Sequence, residues 1–141
     1  MKRNRPTVKR AAPRPSGPEL AGGVRNSLIS VLMLLAGVWL FVAAWVIGYP
    51  FNEPAVDAHL NEMAVGVVVF LVAVARLVRR RGPVSDLVVT AAGAWIIAAP
   101  FVVSYGDSSK ADAARINDVA TGVVVIVLSV ISLWIARERR A

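Results

Sequence analysis

Residues 27–49 read SLISVLMLLAGVWLFVAAWVIGY, 23 positions without a charged side chain. As an α-helix rising about 1.5 Å per residue, this stretch is roughly 35 Å long, enough to cross a hydrocarbon core of about 30 Å. Three more such stretches follow it. Residues 60–78 carry charge only near their ends, at Glu62 and Arg76, and residues 87–105 and 119–136 carry none. Val and Ile are frequent enough to suit strands. In lipid, however, an open strand leaves its backbone groups unpaired, and four strands cannot close a barrel. The pattern predicts an all-α membrane protein with four transmembrane helices.

The composition points the same way. Of 141 residues, 57% are hydrophobic and only 18% charged, more apolar material than one small water-soluble core can hide. Cysteine is absent, which excludes disulfides, thiolate metal sites, iron–sulfur clusters and thiol redox catalysis.

The net charge of +7 is distributed very unevenly, with 14 of the 16 basic residues on one side of the predicted membrane. Lys2, Arg3, Arg5, Lys9, Arg10, Arg14 and Arg25 precede the first helix. Arg76, Arg79, Arg80 and Arg81 separate the second from the third, and Arg137, Arg139 and Arg140 follow the fourth. The opposite loops carry Glu53, Asp57 and Glu62, then Asp107, Asp112 and Asp118 with Lys110 and Arg115. Basic loops face the cytoplasm, so both termini are expected inside and both acidic loops outside. The first apolar run exceeds the roughly 7–15 residues of a signal-peptide core, and Ala43-Ala44-Trp45 is a poor cleavage site, so the segment reads as a retained anchor. Residues 1–26 are basic and carry Pro6, Pro13, Pro15 and Pro18. They are expected to form a disordered cytoplasmic tail lying against anionic headgroups. Topology accounts for the positive charge without a nucleic acid partner. The excess of Arg (13) over Lys (3), with abundant Ala and Val, reads as the coding bias of a GC-rich genome and places the chain in a bacterial plasma membrane.

The sequence also repeats itself. A shift of 56 residues aligns residues 31–78 with 87–134 without a gap, giving 16 identities in 48 positions. Gly37-Val38-Trp39 falls on Gly93-Ala94-Trp95, and Tyr49 falls on Tyr105. Asn61-Glu62-Met63-Ala64-Val65-Gly66 falls on Asn117-Asp118-Val119-Ala120-Thr121-Gly122. Apolar bias yields chance matches of Val and Ala, but not paired Gly, Trp, Tyr and Asn in one register. Each repeat, residues 27–81 and 82–141, is one helical hairpin that crosses the membrane twice. Both copies therefore enter lipid in the same direction, which predicts a parallel pair about a pseudo-two-fold axis along the membrane normal and a four-helix bundle.

This frame resembles the SPW-repeat family of small bacterial integral membrane proteins. The likeness lies in the Gly-x-Trp of each first helix and the Asn-x-x-x-x-Gly of each second. Between them stands the Ser-Pro-Trp-like element, here Ala43-Ala44-Trp45 and Ala99-Pro100-Phe101. It covers about residues 28–136 and implies a membrane location and the two-helix repeat. It brings with it no activity, ligand or catalytic residue.

The repeat motif comprises Gly37, Trp39, Trp45, Tyr49, Asn61 and Gly66, then Gly93, Trp95, Pro100, Tyr105, Asn117 and Gly122. Trp39 and Trp95 lie deep in their helices, where packing against Gly37, Gly66 and their counterparts is expected. Their buried N–H groups would need an acceptor such as a carbonyl, Ser30 or Thr90. Tyr49 and Tyr105 read as interfacial anchors, and His59 as an exposed loop residue. Pro100 removes one backbone hydrogen bond and predicts a bend in the outer third of the third helix. The sharpest polar feature is a candidate outer-face cluster of Asn61, Glu62, Asn117 and Asp118. Acids near a helix N-terminus are stabilised by its dipole, and Asn can cross-link helices. Convergence on the axis to bind a cation or a basic partner is the alternative. Small-residue pairs Ala44/Gly48 and Ala94/Ala98 would suit close helix contacts.

No phosphate-cradling loop, nucleophile elbow or metallohydrolase motif appears, so no catalytic residue, cofactor or metal is expected. The chain reads as a non-enzymatic structural or accessory membrane component. Its expected partners are the lipid bilayer and either another membrane protein or a second copy of itself. The alternative is a small transporter or channel subunit acting as an oligomer.

Overall fold

A computed structural model describes residues 17–48, 55–78, 83–103, 105 and 107–138. Four helices occupy them: α1 (Gly17–Ile47), α2 (Ala55–Val78), α3 (Pro83–Val102) and α4 (Ser109–Glu138). All four are long and apolar enough to cross a membrane. Tyr49, the Arg79–Arg80–Arg81 run and residues 1–16 lie outside the described residues.

Helix α1 begins at Gly17, ten residues before the uncharged run, so the last part of the segment expected to be disordered is helical. The reason is local. Pro18 falls in the first turn, where its missing N–H would have had no helical partner, and the apolar run behind it propagates the helix backwards. At its other end α1 stops on Gly48, whose φ of +73° is a left-handed conformation that side-chain-bearing residues adopt at a cost. The Gly48 N–H closes on the Ala44 carbonyl at 3.0 Å, and the Lys110 ammonium donates to the Gly48 carbonyl at 2.7 Å. Helix α4 starts after Ser108, whose hydroxyl accepts the Ala111 N–H at 3.1 Å as an N-cap. Pro100 lies in the outer third of α3, in its last turn. The lost bond therefore touches only the final turn, and Val103 N–H already returns to the Ala99 carbonyl at 2.7 Å.

Helix α1 packs chiefly on α2 and α3 on α4. The pairs α1–α4 and α2–α3 join the hairpins, and α2 touches α4 across the diagonal. Glycines set the spacing within each hairpin. A Cβ on Gly37 would stand 2.7 Å from the Phe70 nitrogen and 3.0 Å from the Gly66 oxygen, and one on Gly66 would stand 2.9 Å from the Gly37 oxygen. The second hairpin repeats the contact, with a Cβ on Gly122 only 2.8 Å from the Gly93 oxygen. The motif glycines thus pack against each other and leave no place for an indole ring.

The centre of the bundle is apolar: Met33, Leu40, Val69, Val89, Ile96 and Val125 form one buried cluster. Outward-facing positions are equally apolar, with Phe101 76% and Trp134 65% exposed. In water such a surface would be a large liability, whereas lipid solvates it.

Candidate functional site: two polar clusters between the hairpins

Buried polar side chains in lipid must find partners, and here they gather at the two ends of the hairpin interface. At the end where α2 and α4 begin, Trp39 Nε1 donates to Asn117 Oδ1 at 2.8 Å. Trp95 Nε1 donates to Asn61 Oδ1, also at 2.8 Å. Trp39 and Trp95 are 56 residues apart, as are Asn61 and Asn117. Each hairpin therefore gives its tryptophan to the other hairpin's asparagine, and one sequence shift relates the two bonds. Neither Ser30 nor Thr90 is the acceptor. The rings lie on the outside of the bundle, 41% exposed for Trp39 and 46% for Trp95, so only the N–H edge points inward. This snorkelling geometry keeps the large apolar body in lipid while its one donor is paired.

Behind the asparagines sit the acids. Glu62 on α2 and Asp118 on α4 are both fully buried and lie beside each other. Tyr105 lies in the loop between α3 and α4, donates to Asp118 Oδ2 at 2.8 Å and accepts from Asn61 Nδ2 at 3.1 Å. It is 3% exposed and so is no interfacial anchor. Its aromatic body packs with Ala44, Ala58, Ala111 and Ala114, small residues that leave a slot for the ring. Burial, then the charge of Asp118 and the hydrogen bond to it, raise the Tyr105 hydroxyl above its ordinary value of 10.0, with Asn61 opposing. It stays a neutral donor.

His59 also departs from expectation. It is buried at 4% exposure and stands edge-on to Trp45, with ring centroids 5.1 Å apart and planes at 86°. Its spacing explains this: three residues before Glu62 on one helix puts both on the face that turns to the bundle. Trp45 in turn lies 5.6 Å from Phe41. Asn61, Glu62, Asn117 and Asp118 thus lie in one polar cluster between the hairpins. Among the described residues, no three His, Cys, Asp or Glu side chains come together as metal ligands.

The opposite end holds a second cluster. Arg76 at the end of α2 and Asp86 at the start of α3 form an ion pair with side chains 1% and 4% exposed. Arg76 also donates to Ser132 on α4. The hydroxyls of Ser129 and Thr90 donate to the Asp86 carbonyl at 2.7 Å and 2.8 Å. Sequence reasoning counts Arg76 with the basic belt and gives Asp86 no role. A usable signal was present, because two opposite charges ten residues apart stand at the adjoining ends of consecutive apolar segments. The 56-residue shift maps Arg76 onto Ser132 and Asp86 onto Ser30. Each hairpin thus carries a serine where the other carries one partner of the ion pair, and no second arginine stands opposite Arg76.

Four membrane-length helices, joined in pairs by glycine contacts and across pairs by Trp–Asn bonds, define a multi-pass helical membrane protein. The SPW repeat domain model matches residues 27–132, and the chain belongs to that family. Comparison with curated proteins and with solved structures returns no match.

Proposed function

We propose that this chain is a non-enzymatic structural or accessory component of a bacterial plasma membrane. In this reading residues 27–81 and 82–141 are two tandem parallel hairpins, both termini are cytoplasmic, and residues 1–16 meet anionic headgroups. The observation that carries it is the reciprocal pair of bonds, Trp39 to Asn117 and Trp95 to Asn61. They commit the most distinctive polar groups of the repeat to joining the hairpins. Fourteen residues of α2, about 21 Å, separate Glu62 from Arg76. The space between is filled by Val65, Val69 and Ala73 with Val125 and Ile96, which favours a scaffold over a conduit.

The buried Glu62–Asp118 pair favours a second reading, a small transporter or channel subunit acting as an oligomer. The full-length protein in proton- and cation-loaded liposomes separates the two. No flux, together with a stable membrane-protein partner in mild detergent, supports the accessory role, and flux from a homo-oligomer overturns it. Topology is tested by single-cysteine labelling from each side. The natural chain has no cysteine, so each label reports one site.

A further inference from the structure

The two hairpins differ sharply at one place where their sequences otherwise stay in register. Phe41 and Phe70 of the first stand where the second has Ile97 and Ile126. In the second hairpin both isoleucines lie over the glycine contact. A Cβ on Gly93 would meet Ile126 Cγ1 at 2.8 Å, and one on Gly122 would meet Ile97 Cγ1 at 2.6 Å. In the first hairpin neither phenylalanine ring takes that place. The nearest atoms to a Cβ on Gly37 or Gly66 are backbone atoms of Phe70, Phe41 and the facing glycine, with Leu40 Cβ. The rings stand outward, 39% and 36% exposed.

They leave a cavity of about 380 Å³, floored by Gly37 and Gly66 and walled by Val38, Phe41, Val67 and Phe70. Every lining side chain is apolar, which suits hydrocarbon and offers a polar group nothing to bond. Gly37 lies ten residues before the end of α1, and Gly66 eleven after the start of α2. At about 1.5 Å per residue the cavity is roughly 15 Å from those ends, near the middle of the hydrocarbon layer. The space opens towards the lipid-facing side of the helices, at a depth where acyl chains are the surrounding solvent, and a flexible chain can follow its glycine floor.

We propose that this cavity holds the acyl chain of a phospholipid, retained between α1 and α2 as part of the folded protein. The proposal rests on the membrane location and is independent of the accessory role. To test it, the full-length protein is reconstituted in vesicles of phosphatidylethanolamine and phosphatidylglycerol. It is then re-extracted in mild detergent and weighed by native mass spectrometry. The natural chain is expected to keep one phospholipid. F41I/F70I, which copies the second hairpin, loses it, and I97F/I126F, which copies the first, gains another. A natural chain that retains no lipid overturns the proposal, as does an F41I/F70I protein that keeps it. So does an F41I/F70I protein that changes from dimer to monomer with its lipid count unaltered, since a second copy is then the occupant. If F41I/F70I does not fold, I97F/I126F decides alone, and an unchanged stoichiometry there is fatal.

Discussion

Arg76 shows what a single side chain can demand of a membrane protein. Its guanidinium pairs with Asp86 and reaches Ser132 in a place closed to solvent. Arg76→Ser leaves Asp86 buried without its cation, and breaking such a pair typically costs about 3–5 kcal/mol. A steep loss of melting temperature in detergent is the expected reading. Replacing both partners with serine, the residue found at each equivalent position, should recover most of that loss, because no lone charge remains. Tyr105 makes a prediction about pH. Its hydroxyl is held above the ordinary value of 10.0, so below that pH it is neutral in folded and unfolded chains alike and its bonds contribute fully. Above it the unfolded chain ionises first, and stability falls as pH rises towards the folded value. Melting between about pH 9 and 11 should decline more steeply for the natural chain than for Tyr105→Phe. Neither role was legible from residue type. Arginine beside a membrane reads as topology and tyrosine at a helix end reads as an anchor, and only the partners on neighbouring helices decide otherwise.

At the level of the helix, the two hairpins are held by glycine contacts of unequal tolerance. Gly37→Ala places a Cβ 2.7 Å from a backbone nitrogen, which cannot yield unless α1 and α2 separate, and overpacking of this kind costs about 1–3 kcal/mol. At Gly93 the nearest atom is Cγ1 of the Ile126 side chain, with the Gly122 oxygen next at 3.1 Å; the closest contact there is a side chain and not backbone, so Gly93→Ala should destabilise less. Gly23→Ala meets nothing within 4 Å and should be neutral, or stabilising by up to about 1 kcal/mol through helix propensity. Thermal unfolding of the three variants in one detergent gives the order directly. The positions of the four helices and the importance of the glycines were readable in the sequence, because hydropathy and repetition are strong signals over 18 or more residues. What the glycines touch was not. A small residue reveals that something comes close without revealing what, and the backbone of the neighbouring helix turned out to be closer than any indole.

Taken whole, the described residues form two helix pairs, α1–α2 and α3–α4, that exchange one Trp–Asn hydrogen bond each way. The repeat of 56 residues marked Trp39, Trp95, Asn61 and Asn117 as a set, but repetition alone cannot say whether a motif closes on its own copy or on the other. Crossing is what the geometry adds, and it turns a local sequence motif into the joint of the bundle. The acids behind it follow the same logic, since Glu62 and Asp118 meet only because α2 and α4 touch across the diagonal. Interhelical hydrogen bonds in membranes are worth about 0.6 kcal/mol on average and up to about 2 kcal/mol. The reciprocal joint should therefore appear as coupling between residues 78 positions apart in one pair and 34 in the other. The most direct measurement is a double-mutant cycle at each pair, Trp39→Phe with Asn117→Leu and Trp95→Phe with Asn61→Leu, read by reversible unfolding in mixed micelles. We expect a favourable coupling of about 0.6–2 kcal/mol in both cycles, while Trp39→Phe with Asn61→Leu, which joins residues of one hairpin, is additive. Additivity in both crossed cycles, or coupling confined to the pair within one hairpin, would contradict the account.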